Sequence, residues 1–126
     1  MASSRERYVL VAEPSIIKTI CDSLLAYYNT LVKKEYHNFS AEILQLHNNI
    51  LFAPKVNGKS IFVIPDVKVR NGISNNIRAQ YEQAVINNDL EAQAEFAKAF
   101  YKMLDVPTER EYHRQRKIDA REDHER

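Results

Sequence analysis

The sequence predicts a mainly α-helical fold: four helices, a β-hairpin inserted between the second and third, and a polar C-terminal helix. Two observations predict the helices and the hairpin. Apolar residues recur at intervals of three and four over most of the chain, as they do in amphipathic helices. Around residues 57–58 this period gives way to short apolar runs that flank an Asn-Gly pair, which is typical of a two-residue hairpin turn.

A third observation concerns the charged end of the sequence. Residues 108–126 hold 6 basic and 6 acidic residues and few apolar ones, so a helix there would bury little surface of its own. We therefore divide the chain into an N-terminal arm (1–13), a helical domain (14–106) with the hairpin at about 52–70, and a charged helix or tail (107–126).

The first helix is predicted from about residue 14 to 35. Pro14 suits the first turn of a helix, and the apolar positions that follow form one broad stripe: Ile16, Ile17, Ile20, Cys21, Leu24, Leu25, Tyr28, Leu31 and Val32. Cys21 is the 1 cysteine of the chain, so we expect a buried structural thiol and neither a disulfide framework nor a cysteine zinc site.

The second helix is expected to begin at Ser40, with Phe39 and Leu44 placed as a hydrophobic staple. A linker of about four residues, 36–39, makes the first two helices an antiparallel hairpin. The expected buried side of the second helix comprises Ile43, Leu44, His47, Ile50 and Leu51.

Short strands are expected on both sides of the Asn-Gly pair, with Pro54 at an outer edge because proline cannot donate to a strand ladder. Residues 67–70 alternate apolar and basic side chains, which predicts a third short strand. A hairpin this small is marginal alone, so it needs support from helices or from another subunit.

The remaining helices are placed by capping signals. Ser74 is expected to cap the third helix and Asp89 the fourth, while Thr108 and Glu111 have the spacing of a capping box for the C-terminal helix. The predicted core comprises Ile17, Ile20, Leu24, Leu25, Leu31, Ile43, Leu46, Ile50, Ile77, Tyr81, Val85, Phe96, Phe100 and Leu104.

The composition argues against an enzyme. With 2 glycines, the chain cannot build a Gly-rich phosphate loop, a dinucleotide fingerprint or a nucleophile elbow. The 4 histidines lack paired metal-ligand spacing, and the serines fall at terminal, capping or turn positions. We therefore expect no catalytic residue, no cofactor and no metal.

Charge points weakly to nucleic acid. Residues 1–81 hold 10 Lys/Arg against 6 Asp/Glu, whereas residues 82–126 hold 8 against 11. A pI near 7.9 is low for a protein that neutralises phosphate alone, so many copies would each contribute a few sequence-blind contacts. The candidate contacts lie in the arm, on the polar face of the first helix and after the hairpin: Arg5, Arg7, Lys18, Lys33, Lys34, Lys68 and Arg70.

Three features indicate self-association. Tyr27 and Tyr28 are adjacent on one helix and point about 100° apart, so both cannot face one narrow core stripe. The polar C-terminal helix and the small hairpin also lack enough burial within one chain to explain them. Together these features favour a subunit of a larger assembly.

In layout, the chain resembles the coat proteins of filamentous archaeal viruses of the rudivirus, lipothrixvirus and tristromavirus groups. The shared features are a length of 126 residues, a short Ser/Arg-containing arm, paired amphipathic helices and an extended terminal segment. The resemblance implies a virion protein that wraps double-stranded DNA and stacks with itself or a paralogous coat subunit. Carried over by position, it places Arg5, Arg7, Lys18, Lys33 and Lys34 toward the DNA.

The alternative is a small viral or phage accessory adaptor that binds and regulates a host protein in the cytoplasm. Such an adaptor would use the exposed hairpin edge for strand addition. On either interpretation we expect no membrane-spanning segment, because the apolar run at residues 8–12 is too short for a signal peptide or a span.

Overall fold

The computed structural model describes residues 6–125, with side-chain surroundings up to residue 121. This part of the chain is mainly helical, as predicted, and also contains a small antiparallel sheet. The helices are α1 (Pro14–Lys33), α2 (His37–Leu51), α3 (Val67–Ile86), α4 (Leu90–Leu104) and α5 (Glu109–Glu125). The strands are β1 (Tyr8–Ala12), β2 (Lys55–Val56) and β3 (Lys59–Ile64), in the order β1-β3-β2.

The prediction of an N-terminal arm is wrong for residues 8–12, which form β1. This strand pairs antiparallel with β3, from Tyr8 opposite Ile64 to Ala12 opposite Ser60. Both faces of β1 are apolar: Leu10 is fully buried and Val9 is 2% exposed. The short apolar run is therefore a strand that needs a partner about fifty residues away, which no local pattern reveals. Residues 1–5 lie outside the described residues.

The second edge of β1 is held by the segment that leads into α5. The N–H of Val9 donates to the carbonyl of Pro107 (3.0 Å), and the N–H of Glu109 donates to the carbonyl of Arg7 (2.8 Å). These bonds satisfy backbone groups that would otherwise be left open on a buried strand. They also fix the start of α5 beside β1.

The hairpin turn is confirmed, but the hairpin is shorter than predicted. Asn57 and Gly58 have φ values of 54° and 80°, the positive values that a two-residue turn requires. Residues 67–70 are the first turn of α3 and not a third strand. Asp66 caps that turn, since its Oδ1 accepts from the N–H of Val69 (2.9 Å). A local cap therefore outweighed the alternating pattern.

Two predicted helix starts are also wrong. α2 begins at His37, and the Ser40 hydroxyl donates back to the His37 carbonyl (2.9 Å). Ser74 lies in the middle of α3, where its hydroxyl donates to the carbonyl of Arg70 (3.1 Å). Serine can bond within a helix as well as cap it, so its presence alone does not mark a start.

The other capping predictions are confirmed. Asp89 accepts from the N–H of Ala92 (3.1 Å) at the start of α4. At the start of α5 the N–H of Glu111 donates to the Thr108 hydroxyl (3.1 Å), and that hydroxyl lies 2.9 Å from Oε1 of Glu111. These caps satisfy orphan N–H groups of the first turn.

The core lies between one face of the sheet and the helices, with α1 in contact with α2, α3, α4 and β3. Ile17, Ile20, Leu24, Leu31, Ile50 and Ile77 are buried as predicted. Val85 on α3 and Leu104 on α4 are exposed, contrary to the prediction; Ala84 is buried instead on α3, and Ala99 and Met103 are buried on α4. The remaining cluster residues include Tyr8, Leu10, Ala12, Ile16, Cys21, Ile64, Ile73 and Val106.

Candidate nucleic-acid interface

The basic residues singled out from the sequence do not form one surface. Arg5 lies outside the described residues. Arg7 and Arg70 lie at the end of the sheet where Tyr8 pairs with Ile64, and Lys68 is in the adjoining first turn of α3. Lys18 lies in the first half of α1, and Lys33 and Lys34 follow at its C-terminal end.

At the sheet end, the arginines are already engaged. Nη2 and Nε of Arg7 lie 2.6 and 3.0 Å from Oε1 of Glu109. The guanidinium carbon of Arg70 lies 4.8 Å from the centroid of the Tyr8 ring, a cation–π distance. Arg7 therefore ties β1 to α5, and Arg70 covers the start of β1. Only Lys68 is left there without a described partner.

Lys18 is likewise paired. Its Nζ lies 2.9 Å from Oδ2 of Asp22 one turn along α1. The hydrogen bond and the charge of Asp22 raise the pKa of Lys18, although both side chains remain solvent-exposed. A lysine held by a neighbouring carboxylate is a weaker phosphate ligand than a free one.

A cleft of about 210 Å³ lies beside this ion pair, lined by residues of α1, α2 and the hairpin that include Cys21, His47, Lys55 and Ser60. Burial raises the pKa of the Cys21 thiol to about 11, with a smaller contribution from the charge of Asp22. The thiol is therefore protonated at neutral pH, which makes it a poor nucleophile. The expectation of a buried Cys21 is confirmed.

A cluster of exposed positive charge lies at the connection between α1 and α2. We call residues 33–39 the basic turn. Lys33, Lys34 and His37 are exposed there beside the exposed rings of Tyr36 and Phe39. No ion pair involves Lys33 or Lys34 within the described part of the chain. A mixture of exposed basic and aromatic side chains suits contact with a nucleic-acid strand.

Backbone geometry explains why the basic turn projects. α1 ends in a Schellman motif, in which the N–H of Tyr36 donates to the carbonyl of Leu31 and the N–H of Glu35 to that of Val32. Glu35 takes the left-handed position, with φ of 63°. The ring of Phe39 packs edge-on against Tyr27, with centroids 6.0 Å apart. The turn is therefore ordered by local bonds while its charged side chains stay in water.

The electrostatics of the turn favour an anion modestly. α2 begins at His37 without a side-chain cap, but the negative end of the α1 dipole lies at the same turn, so the two helix ends largely offset each other and the positive charge comes from Lys33 and Lys34. Glu35 is the one acidic residue among residues 33–39. The two lysines were predicted as phosphate contacts, whereas residues 36–39 were predicted only as a linker. The closeness of Tyr36, His37 and Phe39 to these lysines in the sequence was the signal that could have added them.

Metal-binding clusters and membrane-spanning helices are two further features that the described residues could hold. No group of three or more His, Cys, Asp or Glu side chains there is placed to hold a metal ion. Of the helices described, none combines the length and apolar character needed to cross a membrane.

Comparison with known proteins adds no relative. No protein-family model, curated protein sequence or solved structure matches this chain.

Proposed function

We propose that this chain is a non-enzymatic structural subunit, the major coat protein of a filamentous virus, which assembles with copies of itself or of a paralogue around double-stranded DNA. As a coat protein, it is located in the virion. The contacts to DNA are sequence-independent and go to phosphates. The observation that carries the proposal is the basic turn, because it presents two lysines with no described partner beside exposed aromatic rings.

The distribution of charge supports many weak contacts per filament and not one tight site. Arg7, Lys18 and Arg70 already have intrachain partners, so each subunit offers Lys33, Lys34 and the exposed Lys68. A few phosphate contacts per subunit bind weakly alone and strongly when a filament repeats them.

The shape of α5 supports assembly. Its start is fixed to β1, yet every residue from 113 to 121 is exposed. Apolar side chains near the hairpin are also uncovered in the described chain: Phe52, which follows α2, is 79% exposed, and Val63 on β3 is 41% exposed. Exposed apolar patches and projecting helices are features of subunits that contact neighbours.

The DNA contact is tested by a salt series on duplex binding. Each phosphate contact contributes about 0.9 to the slope of log affinity against log salt, so Lys33→Ala with Lys34→Ala should flatten the slope by about two units. The control is Lys18→Ala with Arg78→Ala. It removes the same charge from two side chains that already pair with Asp22 and Glu82. Equal slopes for wild type and the turn variant would overturn the assignment.

Assembly is tested on the purified chain by negative-stain microscopy together with absorbance at 260 and 280 nm. The proposal expects filaments, or material that carries nucleic acid. A small species of fixed size that binds no duplex would contradict it.

That contrary result would favour a second candidate, an accessory adaptor that binds a host protein by strand addition in the cytoplasm. One observation supports it. β2 pairs only with residues 59–60 of β3, and the N–H of Ile61 donates to the carbonyl of Pro54 (2.8 Å). Successive residues of a strand direct their N–H and carbonyl groups to opposite edges, so those of Val63 point to the same edge as those of Ile61. β2 ends before it reaches Val63, so no strand of the described chain lies beside these two groups. An extended segment of another protein could pair there.

A further inference from the structure

α4 carries a second apolar stripe that its own chain does not cover. Leu90, Ala94, Ala97, Tyr101 and Leu104 are separated by four, three, four and three residues, the spacing of a helix–helix seam. Their opposite side holds Ala99 and Met103, which are fully buried in the core. We call these five residues the α4 stripe. It lies on a different side of α4 from the residues that pack into the core.

The large members of the α4 stripe face solvent. Leu90 is 74% exposed, Tyr101 is 65% exposed and Leu104 is 51% exposed. Ala94 is exposed and Ala97 is half-buried. The seam extends over residues 90–104, about 21 Å of helix. An apolar strip of this length on one helix suits a partner helix better than it suits water.

On α4 itself, the charged residues that border the α4 stripe lie on one side; on the other side, toward α3, Arg78 and Glu82 of α3 line a groove with Ala97 and Tyr101 and pair with each other (3.3 Å). On the side toward α3 lie Gln93, whose amide donates to the Ala84 carbonyl (3.4 Å), and the half-buried Phe100. On the other side lie Glu91 and Lys98, both exposed. These two residues have opposite charges and are seven residues apart, one heptad, so they occupy equivalent positions along the seam.

We propose that a second copy of this chain packs on the α4 stripe, with the two α4 helices antiparallel about a two-fold axis. In the favoured register Leu90 packs against the partner's Tyr101, and Ala94 packs against the partner's Ala97. Glu91 then lies beside the partner's Lys98, and the symmetry forms that ion pair twice. The alanines at the centre let the helices approach closely. This pairing rests on the self-association in the proposed function and names the surface that performs it.

The bordering charges select this arrangement. Shifting the antiparallel register by one heptad places Lys98 beside the partner's Lys98 and Glu91 beside the partner's Asp105, and like charges repel. A parallel pairing would set Glu91 and Lys98 against the partner's Gln93 and Phe100, which carry no charge. Only the antiparallel register with alanine opposite alanine pairs both charges.

The test measures the mass of the full chain in solution by light scattering over a dilution series. The pairing predicts a species of twice 14.7 kDa that dissociates on dilution. Ala94→Glu inserts a charge at the centre of the seam and should weaken pairing at least about tenfold. Ala79→Glu, at an exposed alanine of α3, is the matched control and should leave the mass unchanged.

Charge exchange tests the register itself. Glu91→Lys alone and Lys98→Glu alone should each weaken pairing by about tenfold, because each turns two attractive pairs into two repulsive ones. The double variant, Glu91→Lys with Lys98→Glu, should restore it. A wild-type mass of 14.7 kDa at all concentrations, or a double variant no better than the singles, would overturn the proposal.

The two proposals fail in different ways. Filaments that persist in Ala94→Glu, with the dimer never observed, would remove the α4 pairing and leave the coat function standing. A dimer that behaves as expected but forms no filament and binds no duplex would support the pairing and remove the coat function.

Discussion

α1 and α4 are both amphipathic, yet they use their apolar residues differently. α1 buries one broad stripe that includes Ile20 and Leu24, against the sheet and three other helices. α4 is apolar on two sides. It buries the small Ala99 and the flexible Met103 and leaves Tyr101 and Leu104 in solvent. An apolar pattern of helical period therefore locates a stripe without saying which neighbour covers it.

The contrast between α1 and α4 explains where the predicted core was right and where it was wrong. On α1 most apolar positions belonged to one arc, so the buried face could be identified from the sequence, although Val32 near the end of the helix is 40% exposed. On α4 the larger side chains, including Leu104, suggested the wrong arc for part of the helix. Size is a poor guide when two arcs compete, because the packing distance to α1 and α3 decides which side chains fit.

The largest expected effects come from truncating buried side chains of α1 and α4 and comparing the loss of stability with that at an exposed position of α4. We expect Leu24→Ala in α1 and Met103→Ala in α4 each to lower the free energy of unfolding by about 2–5 kcal/mol, since both side chains are buried. Leu104→Ala, one residue further along α4, should cost less than about 0.5 kcal/mol in dilute monomer. Urea denaturation measures all three. Equal losses at positions 103 and 104 would show that the exposed stripe is part of the core.

A second prediction uses the titratable group in the α1 stripe. The pKa of Cys21 rises from its ordinary 9.0 to about 11 on folding, so the folded chain keeps a proton that the unfolded chain loses. Stability is therefore complete below about pH 9 and falls as pH rises toward 11, by up to about 2–3 kcal/mol. Cys21→Ala should not show this fall in stability between pH 9 and 11, although the variant is also less stable than wild type at neutral pH. Parallel pH curves for the two chains between 9 and 11 would refute the assignment.

The helix starts give a smaller contrast. α4 begins with Asp89, which accepts a hydrogen bond from Ala92, whereas α1 begins at Pro14 after Glu13 without a side-chain cap. Asp89→Ala should therefore cost about 1 kcal/mol, and Glu13→Ala should cost almost nothing. Thermal melts of both variants check the difference. A larger loss at position 13 would mean that α1 depends on a cap absent from the described contacts.

The smallest expected effect comes from α5, a helix with almost no buried face. Deleting residues 113–126 should change the free energy of unfolding by less than about 0.5 kcal/mol while weakening assembly, because residues 113–121 are all exposed. The deletion must begin after residue 112. Pro107 and Glu109 hydrogen-bond β1, so a cut at 108 removes part of the fold. Loss of folding in the shorter deletion would assign α5 to the core.

Local signals were predicted well from the sequence. The extent of α1, the Asn57–Gly58 turn and the Thr108–Glu111 capping box each depend on residues within a few positions of one another. β1 was missed because its identity depends on Ile61 and its neighbours, about fifty residues away. The start of α3 was missed because Val67 and Val69 favour strands intrinsically, while the Asp66 cap favours a helix.

The basic residues of the candidate nucleic-acid interface divide in the same way, into those whose partners are close in the sequence and those whose partners are distant. Lysines are visible in any sequence, but whether a lysine is free depends on its neighbours in space. Lys18 and its partner Asp22 are one helical turn apart, so that pairing was foreseeable. The partner of Arg7 is Glu109, 102 residues along the chain, and only the fold brings them together. Lys33 and Lys34 are exposed and make no ion pair in the described part of the chain, although Glu35 follows them directly.

The double attachment of β1 has a consequence for how the chain folds during synthesis. Tyr8–Ala12 leave the ribosome before their pairing partners, since one edge of this strand pairs with residues 60–64 and the other with residues 107–109. Until then Leu10 and Val9 have no β-sheet to join, and the exposed strand is at risk of pairing with other chains. We expect nascent chains that stop before residue 107 to be captured by chaperones more readily than the 126-residue chain.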